Sequence, residues 1–110
     1  MTLINLTPHA ISILDEANNP VLVLPSAGVA RAASTRTCVG TVETEGISIP
    51  VNATSFGEVV GLPDLQPGVG YIVSVLTAQA AKGRDDIFVT DDAVRDAEGR
   101  IIGCRALACV

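Results

Sequence analysis

Aliphatic residues recur along this chain in short runs broken by Gly, Pro, Asn and Asp, not at the three-to-four spacing of amphipathic helices. That pattern predicts strands. Ala10 to Leu14 and Val21 to Leu24 flank Asp15-Glu16-Ala17-Asn18-Asn19-Pro20, whose turn chemistry predicts a hairpin between them. Four further strands are predicted at Val29 to Ala33, Val39 to Thr44, Ile47 to Val51 and Glu58 to Gly61, with Gly46 supplying a permissive turn. Val42 and Thr44 alternate with Glu43 and Glu45, which predicts one wetted face.

After the turn at Gln66-Pro67-Gly68, Val69 to Val73 reads as a buried strand leading directly into the one helix, near residues 75–82. Ser74 is its expected N-cap, Ala78, Ala80 and Ala81 favour its body, Lys82 complements its C-terminal dipole and Gly83 ends it. A strand from Ile87 to Thr90 follows, and a last hairpin turns at Asp96-Ala97-Glu98-Gly99 to return through Arg100 to Cys109. The expectation is a mainly β (α+β) single domain over 1–110. It is a compact mixed sheet or small barrel of about eight strands with one short helix.

Composition sharpens this picture at four points. Phe56, Phe88 and Tyr71 are the only aromatics and Trp is absent, so the core should be aliphatic. No apolar run reaches the eighteen or so residues that span a bilayer, and the N-terminal MTLINLTPH lacks the form of a signal peptide. No membrane partner and a cytoplasmic location are therefore expected. Cys38, Cys104 and Cys109 are odd in number without CxxC spacing, so buried thiols are expected in place of disulfides or a zinc site. The formal charge of −5 repels a phosphate backbone and argues against nucleic-acid binding. A small phosphorylated ligand remains open, because a local Arg cluster can oppose the global field.

Six phrases resemble, as an ordered set, a family of small uncharacterised phage, prophage and bacterial proteins. They are Asn5-Leu6-Thr7-Pro8-His9, Leu24-Pro25-Ser26-Ala27-Gly28 followed by Arg31, Gly61-Leu62-Pro63, Tyr71-Ile72-Val73-Ser74, Arg84-Asp85-Asp86, and Gly99-Arg100-Ile101-Ile102-Gly103-Cys104-Arg105. The resemblance spans nearly the whole chain and identifies kin without naming a chemistry. Small phage proteins without enzyme motifs are often inhibitors of host defence, including sponges for nucleotide signals. That setting implies a ligand-capturing role as an expectation.

The candidate site residues each carry a plainer alternative. His9 is the only histidine, so any His-Ser or His-Cys dyad must use it, and a structural turn at Thr7-Pro8-His9 is the favoured reading over ligand contact. Ser26 lacks the leading Gly of a Gly-x-Ser-x-Gly elbow, but its turn offers N–H groups and a hydroxyl to an anion, with Arg31 one strand on. Ser74 sits at a strand-to-helix junction that attracts phosphate or carboxylate, against the favoured reading of a cap without a ligand.

Arg84 and Asp86 either pair locally or grip a phosphate and a ribose or base amine. Arg105 lies inside an apolar strand and needs an acidic partner or an anion. At 1.5 Å per residue, an eight-residue helix holds Ser74 and Arg84 about 12 Å apart. An oligomer could bring the Arg84 end of one subunit to another subunit's site, which is one reason to expect a homo-oligomer. No phosphate loop and no GxGxxG are present, and no cofactor is expected.

The leading expectation is a non-enzymatic, homo-oligomeric phage-type protein that sequesters a small phosphorylated, nucleotide-like signalling molecule. A structural or protein-binding module, such as a virion accessory protein or a direct inhibitor of a host enzyme, is the alternative. A small hydrolase using His9 with Ser26 or an Asp is third.

Overall fold

A computed structural model describes residues 1–110. Eight strands and one helix follow in the order β1 (Thr2–Asn5), β2 (Ile11–Leu14), β3 (Pro20–Leu24), β4 (Arg31–Thr44), β5 (Ile47–Val60), β6 (Val69–Ile72), α1 (Val75–Ala80), β7 (Ile87–Arg95) and β8 (Ile101–Ala108). Six of them form one mixed sheet in the order β1-β6-β7-β8-β2-β3. Its two ends approach each other, for Asn5 and Ser26 form an isolated bridge in which the Ala27 amide donates to the Asn5 carbonyl at 2.8 Å. The sheet is thus nearly closed and barrel-like, as the β-rich sequence pattern predicts. β4 and β5 pair only with each other, as a two-stranded arm that starts at Arg31.

The predicted hairpins form for the predicted reasons. Asp15 Oδ1 accepts from the Ala17 and Asn19 amides, and Asn18 takes the left-handed conformation, so β2 and β3 meet antiparallel. Asp96 Oδ1 does the same for the Glu98 and Arg100 amides, and β7 and β8 pair antiparallel beyond it.

β6 is the spine of the barrel. Its neighbours β1 and β7 are both parallel to it, and such a strand is buried on both faces. Tyr71 and Val73 face one way, into a cluster with Leu6, Ala30, Ala78, Ile87 and Val89 beneath α1. Ile72, fully buried, faces the other way against Ile11 and Cys104. Tyr71 is only 1% exposed, so the one tyrosine is core and offers no stacking surface to a base. β8 must approach β2 closely at Gly103, where any Cβ would come within 2.7 Å of the Ser12 carbonyl oxygen.

Several elements differ from the sequence-based expectation. β1 was not predicted; it forms because the Thr2 amide reaches the Gly68 carbonyl at 2.7 Å and Ile4 lies opposite Tyr71, a pairing no local signal encodes. The four predicted strands between Val29 and Gly61 are two strands of 14 residues each, running unbroken through Ser34-Thr35-Arg36-Thr37-Cys38 and Asn52-Ala53-Thr54-Ser55-Phe56. Both faces of that ribbon meet solvent, so its strands show no sustained alternation. The helix ends at Ala80, and Ala81 leaves helical geometry at φ −97° and ψ 19°, which puts Lys82 beyond the last turn.

Candidate functional site

The turn between β1 and β2 is built around the Asn5 side chain, which is 1% exposed. Asn5 Nδ2 donates to the His9 carbonyl at 2.8 Å and to the Leu24 carbonyl at 3.0 Å. Its Oδ1 accepts from the Thr7 amide at 2.9 Å and the Thr7 hydroxyl at 2.6 Å. One amide group thus satisfies both ends of the turn and ties it to β3 across the closing seam. Ser26 completes the brace, donating its hydroxyl to the Thr7 carbonyl at 2.6 Å, with the Gly28 carbonyl 3.1 Å away.

This brace presents Thr7, Pro8 and His9 on a ridge between two adjoining cavities. The larger, about 360 Å³, lies over the β2-β8-β7 wall, with His9, Ser12, Ser74 and Thr90 as polar lining above Ile102 and Cys104. The smaller, about 280 Å³, lies between the ridge and the root of the arm, where Arg31 and Ala32 face Leu76 and Thr77. Thr7 and Ser74 line both. The larger volume falls at the low end of the 300–1,000 Å³ range of small-molecule sites, and its mainly apolar lining with a few polar groups fits that class.

Ser74 takes the predicted capping position but is held there from within. Its Oγ accepts from the Thr77 amide at 3.3 Å and donates to Thr77 Oγ1 at 2.9 Å, and Thr77 Oγ1 donates to the Ala30 carbonyl at 3.2 Å. This relay fixes α1 to the start of the arm. His9 takes part in hydrogen bonds only through its carbonyl, so the imidazole is free at the rim. Arg31 is exposed and forms no ion pair.

The remaining sequence-read residues lie elsewhere. Arg84 donates to Asp86 through Nε at 3.0 Å and Nη2 at 2.6 Å, a bidentate pair in which Asp86 is 5% exposed. The hydrogen bonds from Arg84 hold the Asp86 carboxyl below the usual carboxylate range, and the same bonds push the guanidinium up. Neither residue lines a cavity. Arg105 donates to Asn18 Oδ1 from Nε at 3.0 Å and lies 3.6 Å from Asp92, so it clamps the β2-β3 turn onto β8. Thr7, His9, Arg31 and Ser74 are therefore brought together, Ser26 supports them from behind, and Arg84, Asp86 and Arg105 stand apart.

Sequence reasoning missed Asn5 and the apolar wall at Ile101, Ile102 and Cys104. An Asn followed two residues later by Thr-Pro is an Asx-turn signal that could have found the first. Burial pushes the Cys104 thiol up, which leaves it a poor nucleophile. The Ser26 hydroxyl points into backbone carbonyls and not toward an imidazole, so these two residues do not assemble the nucleophile and base of a hydrolase.

No group of three or more His, Cys, Asp or Glu side chains is placed to hold a metal ion, and no helix is long and apolar enough to cross a membrane. Compared with family models, curated proteins and solved structures, the chain matches none.

Proposed function

We propose that the chain is a non-enzymatic binding protein of the phage anti-defence type. It sequesters a small phosphorylated, nucleotide-like signal in the host cytoplasm, gripping it across Thr7 and Ser74, which line both cavities. The observation that carries this reading is the convergence of Thr7, His9, Arg31 and Ser74 on two cavities that share a wall. The apolar wall of the larger cavity takes the base or sugar face. The His9 imidazole and the Arg31 guanidinium supply donors to the anionic end, and the Thr7 and Ser74 side chains form the wall that the two cavities share. The phrases that resemble phage and prophage proteins also support it, since Thr7, His9, Arg31 and Ser74 lie within or directly follow them.

Native mass spectrometry tests the reading on protein purified from cells with and without an activated nucleotide-signalling defence. A stoichiometric added mass that is released intact on denaturation, and is lost in His9→Ala and Arg31→Ala, is the expected result. Bare protein under both conditions overturns it. The alternative, a protein-binding module, is favoured by one separate feature, the exposed aliphatic face of the β4-β5 ribbon.

A further inference from the structure

The two cavities that meet at Thr7 and Ser74 differ in the polar atoms they offer, and the hydroxyl protons decide which groups each can bind. The Ser and Thr hydroxyls that donate within the chain are those of Thr7, Ser26, Ser74 and Thr77. Ser12 on β2 and Thr90 on β7, both lining the larger cavity, therefore keep a free proton and free lone pairs beside the His9 ring. Above the apolar Ile102 and Cys104, that cavity suits a neutral group that both donates and accepts.

At the shared wall the protons are already committed. The Thr7 hydroxyl donates to Asn5 Oδ1 at 2.6 Å. Ser74 donates to Thr77 Oγ1 and accepts from the Thr77 amide, which leaves its oxygen one lone pair. A hydroxyl has one proton and two lone pairs, so toward a ligand both side chains can only accept. A phosphate oxygen, itself an acceptor, finds no partner there, whereas a ligand hydroxyl does. The smaller cavity has the opposite character. Thr77 Oγ1 gives its proton to the Ala30 carbonyl, and Arg31, which carries donors only, is the one Arg or Lys in either lining, with no Asp or Glu in either.

From the larger cavity to the smaller, the site thus offers mixed polar groups over an apolar floor, then acceptors, then a cation. The base, sugar hydroxyls and phosphate of a ribonucleotide have the complementary order. We infer that Thr7 and Ser74 are specificity-determining residues that accept from the ribose hydroxyls, with the base over Ile102 and Cys104 and the phosphate at Arg31. The inference rests on the nucleotide-like reading above and adds to it a requirement for the ribose diol.

Calorimetric titration of the full chain with each common ribonucleoside 5′-monophosphate and its 2′,3′-dideoxy counterpart tests it. Loss of both hydrogen bonds predicts that the best ribonucleotide binds about 10-fold tighter than its dideoxy counterpart. Ser74→Ala lowers that ratio to about threefold, because Thr7 still accepts, whereas a cap of structural importance alone would weaken both members of the pair alike. Ser74→Thr keeps the Oγ and restores the ratio, and Arg31→Ala weakens both members alike. Circular dichroism checks that the variants fold, and Thr7→Val replaces Ser74→Ala if the latter does not. Equal affinity within every pair, or a ratio that Ser74→Ala leaves at its wild-type value, overturns the inference while the nucleotide reading stands. Failure of every nucleotide to bind, ribo and dideoxy, overturns both.

Discussion

The barrel and the arm are made from the same kinds of residue and are held by different physics. In the barrel, the end of β6 and the residue after it hold Tyr71, Ile72 and Val73 at 1%, 0% and 2% exposure, with apolar neighbours on both sides. In the arm, Val42 and Ile49 face each other across a ladder of equal regularity, and both stay about half exposed. Backbone ladders join the strands in both, but only the barrel adds burial, at roughly 25 cal/mol per Å² of apolar surface removed from water. Fold uniqueness therefore resides in the barrel, while the arm is a surface carried by it.

One residue type tests that contrast most sharply. Ile72→Ala opens a cavity beside Ile11 and Cys104 and is expected to cost about 4 kcal/mol. Ile49→Ala is expected to cost under about 0.5 kcal/mol. Chemical denaturation followed by circular dichroism checks both. Equal losses would mean that the arm is packed like a core and would dissolve the comparison.

Next in size is the seam where the barrel closes. Asn5→Ala removes the partners of the His9 and Leu24 carbonyls and of the Thr7 amide in a buried setting, at an expected cost of about 3 kcal/mol. It also frees the turn that carries Thr7 and His9. If the proposed ligand site is right, affinity falls with stability in this variant, whereas His9→Ala lowers affinity alone.

How much of this was legible in the sequence follows from the same physics. The β2-β3 and β7-β8 hairpins could be read because Asp15 and Asp96 write their turns locally. β1 could not, since four residues acquire their role from β6, more than sixty positions away. The arm was read as four fragments because a ribbon wetted on both sides need not alternate, and Ser34 to Cys38 carry no buried face to mark the strand. For the candidate site, residue types near turns pointed to Thr7, His9, Arg31 and Ser74, and the helix rise already set Arg84 about 12 Å from Ser74, but nothing in the spacing placed Arg105 outside it. Arg84 meets its partner two residues on, and Arg105 meets Asn18 across 87 positions, so one partner was readable and the other was not.

The Arg84-Asp86 pair gives the barrel a pH signature. Asp86 titrates below its ordinary value because Arg84 binds its charged form. A depressed carboxylate stabilises the fold above the unfolded-state value, near 4, and loses that contribution as pH falls through the lower folded value. Arg84→Ala is expected to cost about 2 kcal/mol at neutral pH, less than a fully buried pair would because Arg84 is 28% exposed. The gap between wild type and variant then narrows below pH 4 as Asp86 protonates in both. Denaturation midpoints at neutral and acid pH measure it, and a gap that stays constant would show that Arg84 acts through packing alone.

The smallest expected effect falls at the joint between the two regions. Ser74→Ala removes the helix cap and the donor to Thr77, whose own hydroxyl anchors the Ala30 carbonyl at the root of the arm. Loss of a Ser cap costs about 1 kcal/mol. If barrel and arm are held by separate means, that cost is local: amide exchange quickens in α1 and at the first residues of β4, while Ile72 and its neighbours keep their protection. Ser74→Thr keeps the Oγ and restores the wild-type pattern. Faster exchange spread through β6 and β7 would show that the joint, and not the barrel wall alone, holds the core in place.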